Sequence, residues 1–155
     1  MKKGTRLICC SILVLLVSVL SCQAGEPAAE IDVVKKTIVD HSKDFDKKDT
    51  KAAVSFYADD AVIMGTGAGE LYAGKEKITE AFAQFFSSFD TEKREVLYHE
   101  VKLNGDVAWT MSSVLFTSTF KDKQSKYHLN VTRVLEKRDG KWLCVSEHFS
   151  NLVSE

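Results

Sequence analysis

The chain has 155 residues, 45% apolar and 28% charged, the balance of an ordinary globular domain with a real core. Lys2, Lys3 and Arg6 stand in an N-terminal leader without an acid, so the remainder carries 18 basic against 22 acidic residues, a net of −4. A mildly acidic body lacks the electrostatic footprint of a nucleic-acid binder, and nucleic acid is excluded as a partner. There is no internal repeat and no low-complexity tract.

Met1 to Ser21 reads as a secretion signal: a charged start, then a nearly unbroken apolar run from Leu7 to Leu20. That run is shorter than the about 20 apolar residues of a membrane span. Val19-Leu20-Ser21-Cys22 resembles a bacterial lipobox, which makes Cys22 the lipidated (palmitate-type) N-terminus of the exported chain; Leu20 departs from the usual pattern. The alternative is ordinary cleavage near Ala24. Gln23 resembles the sorting residue of outer-membrane lipoproteins facing the periplasm. Residues 22–30 are then a tether, 31–155 the domain, and the lipid the only membrane contact. Cys9 and Cys10 fall in the leader, so Cys144 is left alone in the body and reads as a small buried side chain.

In chain order, Pro27 with Glu26 and Glu30 opens a first helix whose Ile31, Val34, Ile38, His41, Ser42 and Phe45 recur at helical spacing. Asp49-Thr50 caps a second short helix through Tyr57, and Asp59-Asp60 breaks it. Ala61 to Met64 is a buried strand, Gly65 to Gly69 a flexible loop, and Leu71 to Ala73 a short extended piece. From Lys75 a third helix carries an apolar stripe through Ile78, Phe82, Phe85 and Phe86 to Phe89, which reads as core. The rest is strand: Glu92 to Leu103, a hairpin at Asn104-Gly105, Asp106 to Phe120, a polar turn, Tyr127 to Lys137, a turn at Asp139-Gly140, and a last strand to Ser150. Three helices followed by an antiparallel meander predict an α+β domain, its helices packed on one face of a strongly curved antiparallel sheet.

Phe56-Tyr57-Ala58-Asp59-Asp60-Ala61-Val62, Tyr72-Ala73-Gly74-Lys75-Glu76-Lys77-Ile78, Gly105-Asp106-Val107-Ala108-Trp109 and Asp139-Gly140-Lys141-Trp142 through Ser150 resemble the SnoaL-like family of the nuclear transport factor 2-like superfamily. The resemblance spans about residues 31–150. It implies a cone-shaped fold with a pocket at its open end and, in many members, a homodimer formed through the outer sheet face. It leaves activity open, because the superfamily holds isomerases, cyclases, dehydratases and non-catalytic modules. The ketosteroid isomerase relatives carry a carboxylate base at the position that Gly65 occupies here, and their oxyanion tyrosine falls near His41. Gly65 cannot act as a base, so that specific activity is excluded.

Plain strand alternation puts Trp142, Cys144, Ser146, His148 and Ser150 on one face of the last strand, with Glu147 on the other. His148, whose pKa class suits acid–base work, is then the catalytic candidate, and the alternative is a structural histidine at the sheet end. A simple hairpin about Asp139-Gly140 sets Val131 opposite His148 and Arg133 opposite Ser146. Tyr57, Trp109, Arg133, Ser146 and His148 are thus the candidate ligand-binding residues. No metal-ligand spacing, phosphate loop or cofactor motif is present, and no metal or cofactor is expected. Three functions stand: a tethered module holding a small apolar or amphipathic molecule; an isomerase-, cyclase- or dehydratase-type enzyme using His148 with Arg133 or Tyr57; and a partner-binding domain whose pocket is vestigial.

Overall fold

A computed structural model describes residues 27–151. The expected signal segment and Cys22 lie outside the described residues. The elements are α1 (Pro27–Asp46), α2 (Thr50–Val54), β1 (Tyr57–Met64), β2 (Leu71–Ala73), α3 (Lys75–Phe86), β3 (Thr91–Asn104), β4 (Val107–Phe120), β5 (Lys123–Arg138) and β6 (Lys141–Asn151). The architecture is α+β. The six strands form one sheet in the order β2-β1-β6-β5-β4-β3. Every pairing is antiparallel except β1 with β6, which is parallel, so the sheet is mixed where the meander alone predicts an antiparallel one.

Helix α1 buries Val34, Ile38 and His41 along one stripe, as its spacing dictates. It ends where Lys48 turns left-handed at φ 56°, and Asp49 then caps α2 by accepting the Ala52 amide at 3.0 Å. The second helix stops at Val54, three residues short of Tyr57. The Phe56 carbonyl already accepts from Cys144, at 2.9 Å, so the chain joins the sheet at once. Tyr57 is therefore the first residue of a strand. β1 pairs Tyr57 with Cys144 and Val62 with Ser146, and the surplus residues between them bulge outward. Asp59 and Asp60 lie on this exposed bulge, where Asp59 meets Lys75 at 3.0 Å and Asp60 meets Arg138 at 2.6 Å.

The β5–β6 hairpin decides what faces the helices. Asp139 and Gly140, at φ 51° and 76°, form the tight turn, and pairing runs from Arg138–Lys141 to Leu135–Cys144 in plain register. Then β6 bulges at Val145: Val134 pairs with Ser146, Arg133 with Glu147 and Thr132 with His148. One extra residue inverts the side-chain alternation beyond it. Trp142 and Cys144 point inward before the bulge, and Glu147 and Phe149 after it, while His148 and Ser146 are exposed on the outer face.

Candidate functional site

Between the sheet and helices α1 and α3 lies a cavity of about 460 Å³. Aromatic side chains from α1 (Phe45), α3 (Phe82, Phe85) and the sheet (Phe116, Phe149) line most of it. The α3 stripe thus divides. Phe86 and Phe89 pack in the core, while Ala81, Phe82 and Phe85 face the cavity. Gly65, Thr66 and Glu70 form its rim. The Glu70 carboxylate folds back to accept the Gly67 amide at 2.8 Å, and a Cβ on Gly65 would stand 2.2 Å from Glu70 Oε2. Close approach of the Glu70 side chain therefore accounts for glycine at position 65.

At the buried end Tyr57, Arg133 and Glu147 meet. The Tyr57 hydroxyl donates to Glu147 Oε2, and Glu147 Oε1 lies 2.6 Å from Arg133 Nη2. The Glu147 side chain has no exposed surface and that of Arg133 is 11% exposed. Burial opposes the Arg133 charge, but the Glu147 carboxylate outweighs it and holds the guanidinium firmly protonated. Burial, reinforced by the Glu147 charge, pushes the Tyr57 hydroxyl well above its ordinary value, so it remains a donor. His41 stacks on Phe56 at 4.2 Å between ring centroids. Burial, then the positive charges of Arg133 and Arg94, drive its pKa well down, and the ring is neutral. Cys144 is buried and its thiol is pushed up by burial, so it is an inert core side chain.

A second polar cluster lines the same cavity. The Tyr127 hydroxyl donates to Glu92 Oε2, and Arg94 Nε lies 3.8 Å from Glu92 Oε1. Arg94 also reaches Asp46 at 2.5 Å, and it stacks over Phe45 with its central carbon 4.3 Å from the ring centroid. Burial raises the Glu92 carboxyl and, with the Glu92 charge, the Tyr127 hydroxyl.

Of the residues expected at the site, the structure brings Tyr57 and Arg133 together at the cavity. It does not bring the other three. His148 and Ser146 are turned outward by the Val145 bulge, so His148 has no access to a group bound inside, and the expected pairing of Arg133 with Ser146 becomes a pairing with Glu147. Trp109 is 38% exposed on the outer face, because alternation along β4 turns Ala108, Thr110 and Ser112 toward the helices and Trp109 away from them. Glu147, expected to point outward, is the central residue of the cluster. Glu92, Arg94 and Tyr127 escaped sequence reasoning. The available signal was the alternation of Glu92 and Arg94 on one face of β3 and their placement across β4 from β5.

The chemical reach of this arrangement follows from its charge pairing. Each arginine that lines the cavity is matched by a buried glutamate, so neither is free to act as an anion hole. The walls between the clusters are mainly apolar, with His41 within and Thr66, Glu70 and Asn151 the other polar lining residues. Such a cavity suits an uncharged molecule with an aromatic or alicyclic body and a hydroxyl or carbonyl.

Comparison with known proteins agrees with the geometry. The model of the SnoaL-like domain family matches residues 34–154. No curated protein matches the chain. Among solved structures, a Xanthomonas campestris protein provisionally described as a calcium/calmodulin-dependent protein kinase II association domain is 29% identical, with a TM-score of 0.71 over 86% of this chain and 93% of its own. A ketosteroid isomerase-like protein from Erwinia carotovora atroseptica is 22% identical, with a TM-score of 0.69 over 81% of this chain and 98% of its own. A Streptomyces avermitilis protein provisionally described as a dehydratase of the NTF2-like family is 15% identical, with a TM-score of 0.74 over 83% of this chain and all of its own, 100%. The last two likenesses are likenesses of fold alone. The chain belongs to the SnoaL-like domain family, and its fold is that of NTF2-like proteins.

Proposed function

We propose that this chain is an exported, lipid-anchored SnoaL-like domain that holds a small, uncharged amphipathic molecule in its cone cavity. The observation that carries the reading is the aromatic cavity ending on a buried, mutually neutralised Tyr57–Glu147–Arg133 cluster. An apolar body gains by leaving water for the aromatic wall, at roughly 25 cal/mol per Å² of apolar surface removed. A hydroxyl or carbonyl then orients it against the polar end. The lipobox-like sequence at Cys22 supports tethering to the bacterial envelope, on the periplasmic face of the outer membrane. The exposed Trp109, Met111 and Tyr98 on the outer sheet face support a homodimer.

An enzymatic reading with His148 as general acid–base loses its geometry, since that ring stands on the far side of the sheet. Within the cavity the nearest equivalent is Glu147, but one of its oxygens accepts from Tyr57 and the other pairs with Arg133. A carboxylate so engaged is better placed to hold a ligand than to take a proton from it.

The test is mass spectrometry of small molecules released from the purified protein and from an Ala81→Trp variant, whose indole obstructs the cavity. The proposal expects an uncharged, hydroxyl- or carbonyl-bearing molecule from the parent and its loss from the variant. The same molecules in equal amount from both would contradict it.

A further inference from the structure

The two polar clusters in the cavity have the same composition. In each, a tyrosine hydroxyl donates to a glutamate and an arginine stands beside that glutamate: Tyr57, Glu147 and Arg133 in one, Tyr127, Glu92 and Arg94 in the other. All six residues line the same cavity. Tyr127 and Arg133 share the inward face of β5, six residues apart, which separates their backbones by about 20 Å along the strand. Leu129 lies between them on that strand and joins the aromatic lining. The cavity therefore has two polar ends and an apolar middle.

Both ends share a deficit as well. Glu92 Oε1 and Arg94 Nε are buried without a hydrogen-bond partner, and so is Arg133 Nε at the other end, where Arg133 Nη2 holds Glu147 Oε1 at 2.6 Å. The Glu92 side chain is only 2% exposed. Bonding Arg94 to helix α1, where its Nη2 meets the Ser42 carbonyl and Asp46, accounts for that nitrogen and leaves Nε and Glu92 Oε1 over. An idle acceptor 3.8 Å from an idle donor is the arrangement that one hydroxyl satisfies, donating to the oxygen and accepting from the nitrogen, once the Glu92 and Arg94 side chains part to admit it, since neither atom has open surface of its own. A carboxylate would meet Glu92 with repulsion, and an ammonium would meet Arg94 likewise.

We propose that the Tyr127–Glu92–Arg94 cluster is a second polar anchor, so that the cavity takes an elongated, uncharged ligand bearing a hydroxyl at each end of an apolar body. This inference rests on the reading that the cavity holds a small molecule, and it specifies the class of that molecule.

The test uses three matched fluorescent probes: stilbene, 4-hydroxystilbene and 4,4′-dihydroxystilbene, titrated into the purified protein. The second hydroxyl should tighten binding over the single one by about fivefold, the scale of one net hydrogen bond. In Glu92→Gln, which replaces the idle acceptor by a donor of the same shape, that ratio should fall to about one. Arg94→Met, which keeps the stem over Phe45, should lower it in the same direction, and a thermal melt of each variant establishes that it is folded. A dihydroxy-to-monohydroxy ratio near one in the parent, or a ratio unchanged in both folded variants, overturns the second anchor while leaving the cavity as a binding site. Absence of binding by all three probes overturns the second anchor together with the reading beneath it.

Discussion

Arg133 and Glu147 are cross-strand partners on β5 and β6, and their charged groups stand 2.6 Å apart inside the fold. Neither could be taken out of water alone. The attraction at short range offsets much of the desolvation of both, and the Tyr57 hydroxyl satisfies one remaining carboxylate oxygen. Glu147→Ala leaves an unpaired buried guanidinium and should cost about 3–5 kcal/mol in denaturant unfolding. His148→Ala, next in the chain but on the exposed face, should stay within about 0.5 kcal/mol. Replacing both partners by apolar residues, Arg133→Met with Glu147→Leu, should recover most of the loss. Equal costs for the two single substitutions would reverse the assignment of faces.

The same bulge explains how far the sequence could be read. The element order, the helical stripe of α1 and the hairpins expected at Asn104-Gly105 and Asp139-Gly140 follow from periodicity and turn chemistry, and the structure has them, the first with its turn one residue further on, at Gly105-Asp106. Strict alternation is correct along β6 as far as Cys144 and along β5 throughout, so Arg133 faces inward as alternation requires. Beyond Val145 it fails by one residue, which exchanges Glu147 for His148. Nothing local announces the bulge: Val145 is an ordinary strand residue, and the extra residue falls where the pairing of β6 with β1 on its other side also shifts register. A charged residue beside a histidine also reads most simply with the charge outside, and only the presence of Arg133 and Tyr57 makes burial of Glu147 affordable. The second cluster was illegible for a related reason, since Glu92 and Tyr127 lie 35 residues apart and meet only through the register of β3, β4 and β5.

His41 should give the protein an acid-sensitive stability. Its folded-state pKa lies well below the ordinary 6.5, first through burial and then through Arg133 and Arg94. The unfolded chain therefore takes up the proton first as the pH falls. The stabilisation is complete above about pH 6.5 and is lost on acidification toward the lower folded value, by at most about 1.4 kcal/mol per pH unit. Glu92 acts in the opposite sense, because burial raises its carboxyl and the folded state takes that proton first. His41→Phe, which keeps the stack on Phe56, removes the first contribution alone. Thermal melts across this range should show a smaller acid loss in the variant than in the parent, and parallel curves would exclude His41 as the cause.

The outer sheet face carries Trp109 opposite Val134 and Met111 opposite Thr132, with Trp109 38% and Met111 44% exposed. A single charged replacement, Trp109→Glu, should convert a dimer to a monomer with little change in monomer stability, as read by analytical ultracentrifugation. A parent that sediments as a monomer at every concentration would remove the dimer from the account.

Export and tethering rest on Cys22 and the sequence before it. Cys22→Ser should abolish incorporation of labelled fatty acid and shift the protein from the membrane to the soluble fraction. Membrane association unchanged in the variant would contradict the anchor.

The central claim is that the cavity selects an uncharged amphipathic molecule because its arginines are already neutralised by glutamates. Calorimetric titration near neutral pH with 2-naphthol and with 2-naphthoate, alike in ring and opposite in charge, tests it most directly. The account predicts that the naphthol binds at least about tenfold more tightly, a difference of about 1.4 kcal/mol, and that Ala81→Trp abolishes the binding. A naphthoate that binds as well as the naphthol or better would contradict it.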